Sequence, residues 1–198
     1  MYSTFRKLLL LSVVLLAPVP GLASPAETVE TYHDRLLRAV SDNRGQSDQA
    51  RFTSLAPAMD DAFDFEGMIK TAAGSYWAKA SPDERAALLS AFRRVSIATY
   101  ADQFRELTDG TFTIEMTRSG PRGLKLVQSR LNTGGDSVAL TYVVREIRGE
   151  WRIIDVLLKG GISELALRAS EYAGTLESGG TEALTKTLNA QAASLLEN

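Results

Sequence analysis

The chain is predicted to be an α+β protein, and three observations carry that reading. Apolar residues recur at helical spacing from Ala26 to about Leu107, at strand spacing from Thr111 to Leu158, and at helical spacing again from Ile162 onward. The strand region is cut by short polar links, which join consecutive antiparallel strands into a meander of four. Strands grouped together, with helices before and after, place helices against one curved antiparallel sheet.

The first residues stand apart from this plan. Arg6-Lys7 form a positive region, Leu8 to Ala17 an apolar run, and Gly21-Leu22-Ala23 a small-x-small cleavage site, so residues 1–23 read as a secretory signal peptide and 24–198 as a single domain. The run is shorter than the roughly 20 residues of a membrane span. Ser24-Pro25-Ala26-Glu27 then has the spacing of a capping box with proline at the first helical position.

Helix one carries Val29, Tyr32, Leu36, Leu37 and Val40 on one face and ends in Asp42-Asn43-Arg44-Gly45. A second segment runs from Ser47 to about Ala62, and Phe63-Asp64-Phe65 leads into a short helix holding Met68 and Ile69 that stops near Gly74. Ser81-Pro82-Asp83-Glu84 is another capping box, opening a helix expected to reach Leu107. Its apolar residues keep to no single stripe: Leu88, Phe92 and Val95 point one way, Ile97, Tyr100, Phe104 and Leu107 another, so it should bend or change partners along its length.

Four strands follow. Thr111 to Arg118 alternates Phe112, Ile114 and Met116 with polar residues; Gly123 to Leu131 and Ser137 to Ile147 flank the turn signal Asn132 to Asp136; Arg148-Gly149-Glu150 links the third strand to Trp151–Leu158. The last two strands scarcely alternate, Tyr142-Val143-Val144 and Ile153-Ile154 with Val156-Leu157-Leu158 being apolar on both faces, so the sheet should be covered on both sides or line an apolar cavity. Gly160-Gly161 ends the sheet, Ser163 can cap the next helix, and Gly179-Gly180 divides that helix from a final one.

Composition excludes several chemistries. With no cysteine, there is no disulfide framework, thiolate metal site or cysteine nucleophile, and stability must come from core burial. Removing Arg6 and Lys7 from the 22 basic residues leaves 20 against 24 acidic ones, a net of −4 that argues against nucleic acid as a partner. No phosphate loop, dinucleotide fingerprint or serine-nucleophile elbow is present. His33 is the only histidine, expected on a surface or half-buried helix position rather than as a base or ligand. The carboxylates Asp60-Asp61 and Asp64-Glu66 read as caps and solvated side chains. No cofactor or metal is expected. What remains is a large apolar and aromatic set, read from composition as core or as the lining of a cavity.

Val138 to Tyr142, Trp151-Arg152-Ile153-Ile154-Asp155-Val156, Gly160, Ser163, Arg168 and Tyr172 follow, in order, the pattern of the MlaC-type family of periplasmic lipid carriers, also called toluene-tolerance or ABC-transporter auxiliary proteins. Phe63-Asp64-Phe65, Tyr76-Trp77, Phe92 and Tyr100 resemble the family's second block. Where the family has V-x-G-V-S, this chain has Leu158-Lys159-Gly160-Gly161-Ile162-Ser163, a form similar to the HpnM subgroup associated with hopanoid biosynthesis. The resemblance implies a four-stranded antiparallel sheet with N- and C-terminal helices around an apolar pocket, a cystatin-like or nuclear-transport-factor-like shape. It also implies a non-enzymatic periplasmic shuttle carrying phospholipid or hopanoid-type lipid between membrane-bound transport complexes. On that expectation Phe112, Ile114, Val138, Leu140, Tyr142, Ile154, Val156 and Leu158 line the pocket from the strands, and Phe65, Ile69, Phe92, Val95, Tyr100 and Leu165 from the helices. Trp151 is structural, and Asp155 and Arg168 form an ion pair tying strand to helix. The rivals are a small-molecule enzyme on the same fold and an interaction protein with a filled core.

Overall fold

The computed structural model describes residues 23–107, 109–159 and 161–197, so all of the expected leader except Ala23 lies outside the described residues. Five helices, α1 (Pro25–Asp42), α2 (Asp48–Ala62), α3 (Phe65–Ala73), α4 (Ser75–Lys79) and α5 (Pro82–Gln103), precede the sheet. Strands β1 (Gly110–Ser119), β2 (Lys125–Thr133), β3 (Asp136–Ile147), β4 (Glu150–Leu158) and β5 (Ile162–Ser163) follow, and α6 (Glu164–Leu196) ends the chain. No described helix is long and apolar enough to cross a membrane.

Both capping boxes form. The Ser24 amide donates to Glu27 at 2.6 Å while Ser24 Oγ accepts the Glu27 amide at 3.2 Å, and Ser81 and Glu84 repeat the exchange at 2.7 and 3.3 Å. The α5 helix stops at Gln103, short of the expected Leu107, because the chain turns there into β1. Leu107 folds over Gly110, where a Cβ would lie 2.6 Å from the leucine side chain. The α5 helix packs against three others, α2, α3 and α6, which accounts for its scattered apolar positions.

The sheet has five antiparallel strands in sequence order, not four. The fifth is only Ile162–Ser163, paired with Leu157 and Leu158, too short to leave a sequence pattern. Ser163 also serves as the predicted cap, accepting the Ala166 amide at 2.9 Å. Ile147 pairs with Glu150, so the β3–β4 loop is Arg148-Gly149 alone, with φ of 54° and 86°, the left-handed pair of a type I′ turn.

Two bulges reset the faces. Ile114 pairs with Ser129 but Met116 with Gln128, so Glu115 is the extra residue and Met116 swings to the outer face, 55% exposed, instead of continuing the Phe112–Ile114 face. In β4 Val143 pairs with Asp155 and Val144 with Ile153, leaving Ile154 as the extra residue. That bulge lets both Ile153 and Val156 face the core beside Val127, Tyr142 and Val144. The missing alternation in β4 is therefore a bulge, not a strand covered on both faces.

The helices close over this face in one cluster with Tyr32, Leu36, Met59, Ile69, Leu88 and Phe92. The N-terminus of α2 is locked to the end of α5 by Asp48, fully buried, which pairs with Arg51 and, at 3.0 Å, with Arg105. The α6 helix is broken at Gly179-Gly180, as the glycine pair predicts. Gly180 has φ of 65°, and a Cβ on Gly179 would sit 2.6 Å from that of Ala183.

Candidate functional site

Two surface grooves of similar volume open on the molecule. One, of about 510 Å³, lies between α1, α2 and the β3–β4 turn, walled by Tyr32, Ala58 and Trp151 and rimmed by the Arg35–Asp61 ion pair. The other, of about 520 Å³, lies between α5, β4 and both halves of α6. The second is the candidate site, because its walls Glu164 and Arg168 also bound a cavity of about 10 Å³ among α2, α3, α5 and α6, reached by Phe65, Tyr100 and Leu165. Its volume falls in the ~300–1,000 Å³ range of small-molecule sites. The inner cavity has room for at most one water molecule, and Ser96 Oγ, buried without a hydrogen-bond partner, lines it.

The chemistry of the groove is set at the first turns of α6. Asp155 on β4 accepts Ser163 Oγ at 2.6 Å, the Leu165 amide at 3.1 Å and its own neighbour Val156 N at 2.8 Å. It does tie strand to helix, but not through Arg168. The free N–H groups of a helix start lie closer than a guanidinium one turn further on, and they favour an anion. No described carboxylate lies within 4.0 Å of the Arg168 guanidinium, so the expected Asp155–Arg168 pair is absent. Burial pushes the Glu164 carboxyl above its ordinary range; nearby Arg168 opposes this, Asp155 adds to it, and the Tyr100 hydroxyl opposes it. Burial works against the Arg168 charge, but Tyr172, Glu164 and Tyr100 outweigh it and hold the guanidinium protonated.

Residues 30–190 match the family described as MlaC protein. The chain belongs to the MlaC family. A crystal structure similar in fold is that of a phospholipid-binding protein from Ralstonia solanacearum in complex with a phospholipid, 25% identical, with a TM-score of 0.78 over 87% of this chain and 99% of that one. No curated protein sequence matches significantly.

In this MlaC-family chain the expected pocket residues fall into four groups. Val95 and Leu158 line the groove, and Phe65, Tyr100 and Leu165 the inner cavity. Ile69, Phe92, Tyr142 and Val156 are closed into the core and touch neither space. Phe112, Ile114 and Leu140 are half-buried on the same sheet face as Tyr142, at its β1 side and beside Leu158, while Val138 is 39% exposed. Ile154 sits at the bulge and has left that face, its place taken by Ile153. Trp151 is half-buried against the core, at the other groove.

His33 corrects the surface or half-buried expectation. It is 3% exposed, its ring stacked on Phe112 at 3.9 Å and edge-on to Tyr142 at 5.1 Å. Burial lowers its pKa to about 3, so it stays neutral, and it does not line the groove. Among the described residues no group of three or more His, Asp or Glu could hold a metal.

Sequence reasoning missed Glu164, Glu171 and the outer wall of Gln191, Ser194 and Leu195. The Gly179-Gly180 break was the available signal. A helix that folds back after such a break returns its last turns to its first, and here it brings Leu195 to Leu167 across the groove.

Proposed function

We propose that this chain is a non-catalytic lipid-binding protein, a periplasmic shuttle exported by a leader cleaved after Ala23, that carries phospholipid or hopanoid-type lipid between membrane-bound complexes. One observation carries the reading: the fold of this MlaC-family chain, shared with nearly the whole of a protein whose structure contains a phospholipid, carries a groove that shares Glu164 and Arg168 with a small inner cavity. The HpnM-like Gly161-Ile162-Ser163 form supports the hopanoid branch. The physical need is plain. Exposing a ~16-carbon chain to water costs on the order of 12 kcal/mol at ~0.8 kcal/mol per methylene, so a carrier must sheathe it and a receiving partner must offer a comparable site. The interior is closed in this state, so loading requires the α5–α6–β4 seam to widen.

The test is organic extraction of the purified mature chain followed by mass spectrometry, with near-stoichiometric lipid expected. Repeated recovery of none, including from the native host, would remove the reading. Leu158→Trp, in the groove, is expected to block loading while the protein stays folded. Val156→Trp, in the closed core, is expected instead to overpack and lose about 1–3 kcal/mol.

Glu164 favours a second reading, an enzyme on the same fold, because it is an ionisable group of raised pKa lining the groove. Glu164→Gln separates the two: a shuttle keeps its lipid loading.

A further inference from the structure

Arg168 is the one cation among the ten described residues lining the groove, and it bounds both the groove and the inner cavity. It is half-buried; Tyr172, Glu164 and Tyr100 favour its charge from nearby, but no described carboxylate approaches within the 4.0 Å of an ion pair. The helix start beside it is not available to an anion, because Asp155 and Ser163 already take the Leu165 and Ala166 amides. A guanidinium drawn out of water without a paired carboxylate is costly, and its planar fork suits bidentate pairing with phosphate. Glu171 lies three residues further along the same helix, exposed and also lining the groove. Helix neighbours at that spacing have Cβ atoms about 5–6 Å apart. Groups that close on one face can hold the two charges of an aminoalkyl phosphate, cation to Glu171 and anion to Arg168.

We propose that Arg168 binds the phosphodiester of the carried lipid and Glu171 its ammonium group, so that the ligand class is a zwitterionic phosphoglyceride with its acyl chains directed along Leu158, Val95 and Leu195. This rests on the lipid-binding reading and deepens it. A neutral diacylglycerol offers Arg168 no phosphate and Glu171 no cation, and a phosphoglyceride with an uncharged alcohol headgroup leaves Glu171 facing a net anion.

The mature full-length chain is incubated with mixed vesicles holding three lipids of identical acyl chains: a phosphatidylethanolamine, a phosphatidylglycerol and a diacylglycerol. Bound lipid is then counted by mass spectrometry. Wild type is expected to take the phosphatidylethanolamine at least tenfold over diacylglycerol. Arg168→Gln is expected to bring that ratio near one while diacylglycerol uptake and the thermal melt hold, and Arg168→Lys to restore part of it. Glu171→Gln is expected to keep the preference over diacylglycerol and erase the preference for phosphatidylethanolamine over phosphatidylglycerol. An Arg168→Gln variant with an unchanged ratio overturns the proposal, as does a Glu171→Gln variant with unchanged headgroup selectivity. Inorganic phosphate at millimolar concentration is the last arm: phosphate that binds at Arg168 and displaces no lipid assigns the site to free phosphate and overturns it too. Wild type that loads none of the three lipids instead removes the lipid-binding reading itself.

Discussion

At the α1 side of the helix–sheet interface ring packs on ring. Tyr32 meets Phe63, Tyr100 and Tyr142 edge-on at 5.1 to 6.5 Å, His33 stacks on Phe112, and Phe112 leads on to Phe104. At the opposite seam, where α6 starts beside β4, Glu164 and Arg168 stand at open space with Glu171. On the closed side an ionisable group without a charged partner stays neutral, as His33 shows. The open side keeps its charges, because water or a ligand can reach them. A binding site in such a fold is thus marked less by apolar residues, which both sides share, than by charges the packing has left incompletely matched.

The closed side should break first when its most deeply buried ion pairs are removed. Asp48→Ala leaves Arg51 buried without its partner and frees Arg105 from α2, and is expected to cost about 3–5 kcal/mol, read as a fall in melting temperature. A loss below about 1 kcal/mol would show that this network adds little to holding α2 on α5.

His33 tests the neutrality of the same side. Its folded pKa, about 3, lies below the ordinary 6.5, so the unfolded chain binds the proton first as pH falls. The stability due to a neutral imidazole is complete above pH 6.5 and is lost through the window from 6.5 towards 3. About 2 kcal/mol is expected to disappear between pH 7 and pH 5. His33→Phe, which keeps a ring against Phe112, should flatten that part of the profile in urea denaturation at the two pH values. Equal slopes for the two proteins would mean that water reaches the imidazole.

Much of this contrast was legible in the sequence, for reasons of range. Local signals survived folding: the capping boxes at Ser24 and Ser81, the Asn132–Asp136 turn and the Gly179-Gly180 break all act within four or five residues. The strand faces were legible only up to each bulge. Glu115 and Ile154 are ordinary residues whose displacement is decided by partners on the neighbouring strand, and one extra residue reverses everything beyond it. The groove was the least legible part. Its outer wall comes from the last turns of α6, some 25 residues beyond Arg168, and nothing local in Gln191 or Ser194 announces which helix they will face.

The smallest effect is expected at Glu164, and it bears most directly on the open side. Its carboxyl is held above the ordinary value of 4.5 chiefly by burial. The folded protein therefore keeps the proton to higher pH than the unfolded chain does, and the stability present below 4.5 is lost as pH rises through the raised value. This slope is opposite to that of His33, so it is read as a difference between variant and wild type. Glu164→Gln carries no charge at any pH and should be as stable as wild type at pH 4 and slightly more stable at pH 7, by no more than about 1 kcal/mol. A variant less stable than wild type at pH 7 would mean that attraction between Glu164 and Arg168 exceeds the cost of burying the carboxylate. Arg168 would then already have its anion, and the open side would be as fully matched as the closed one.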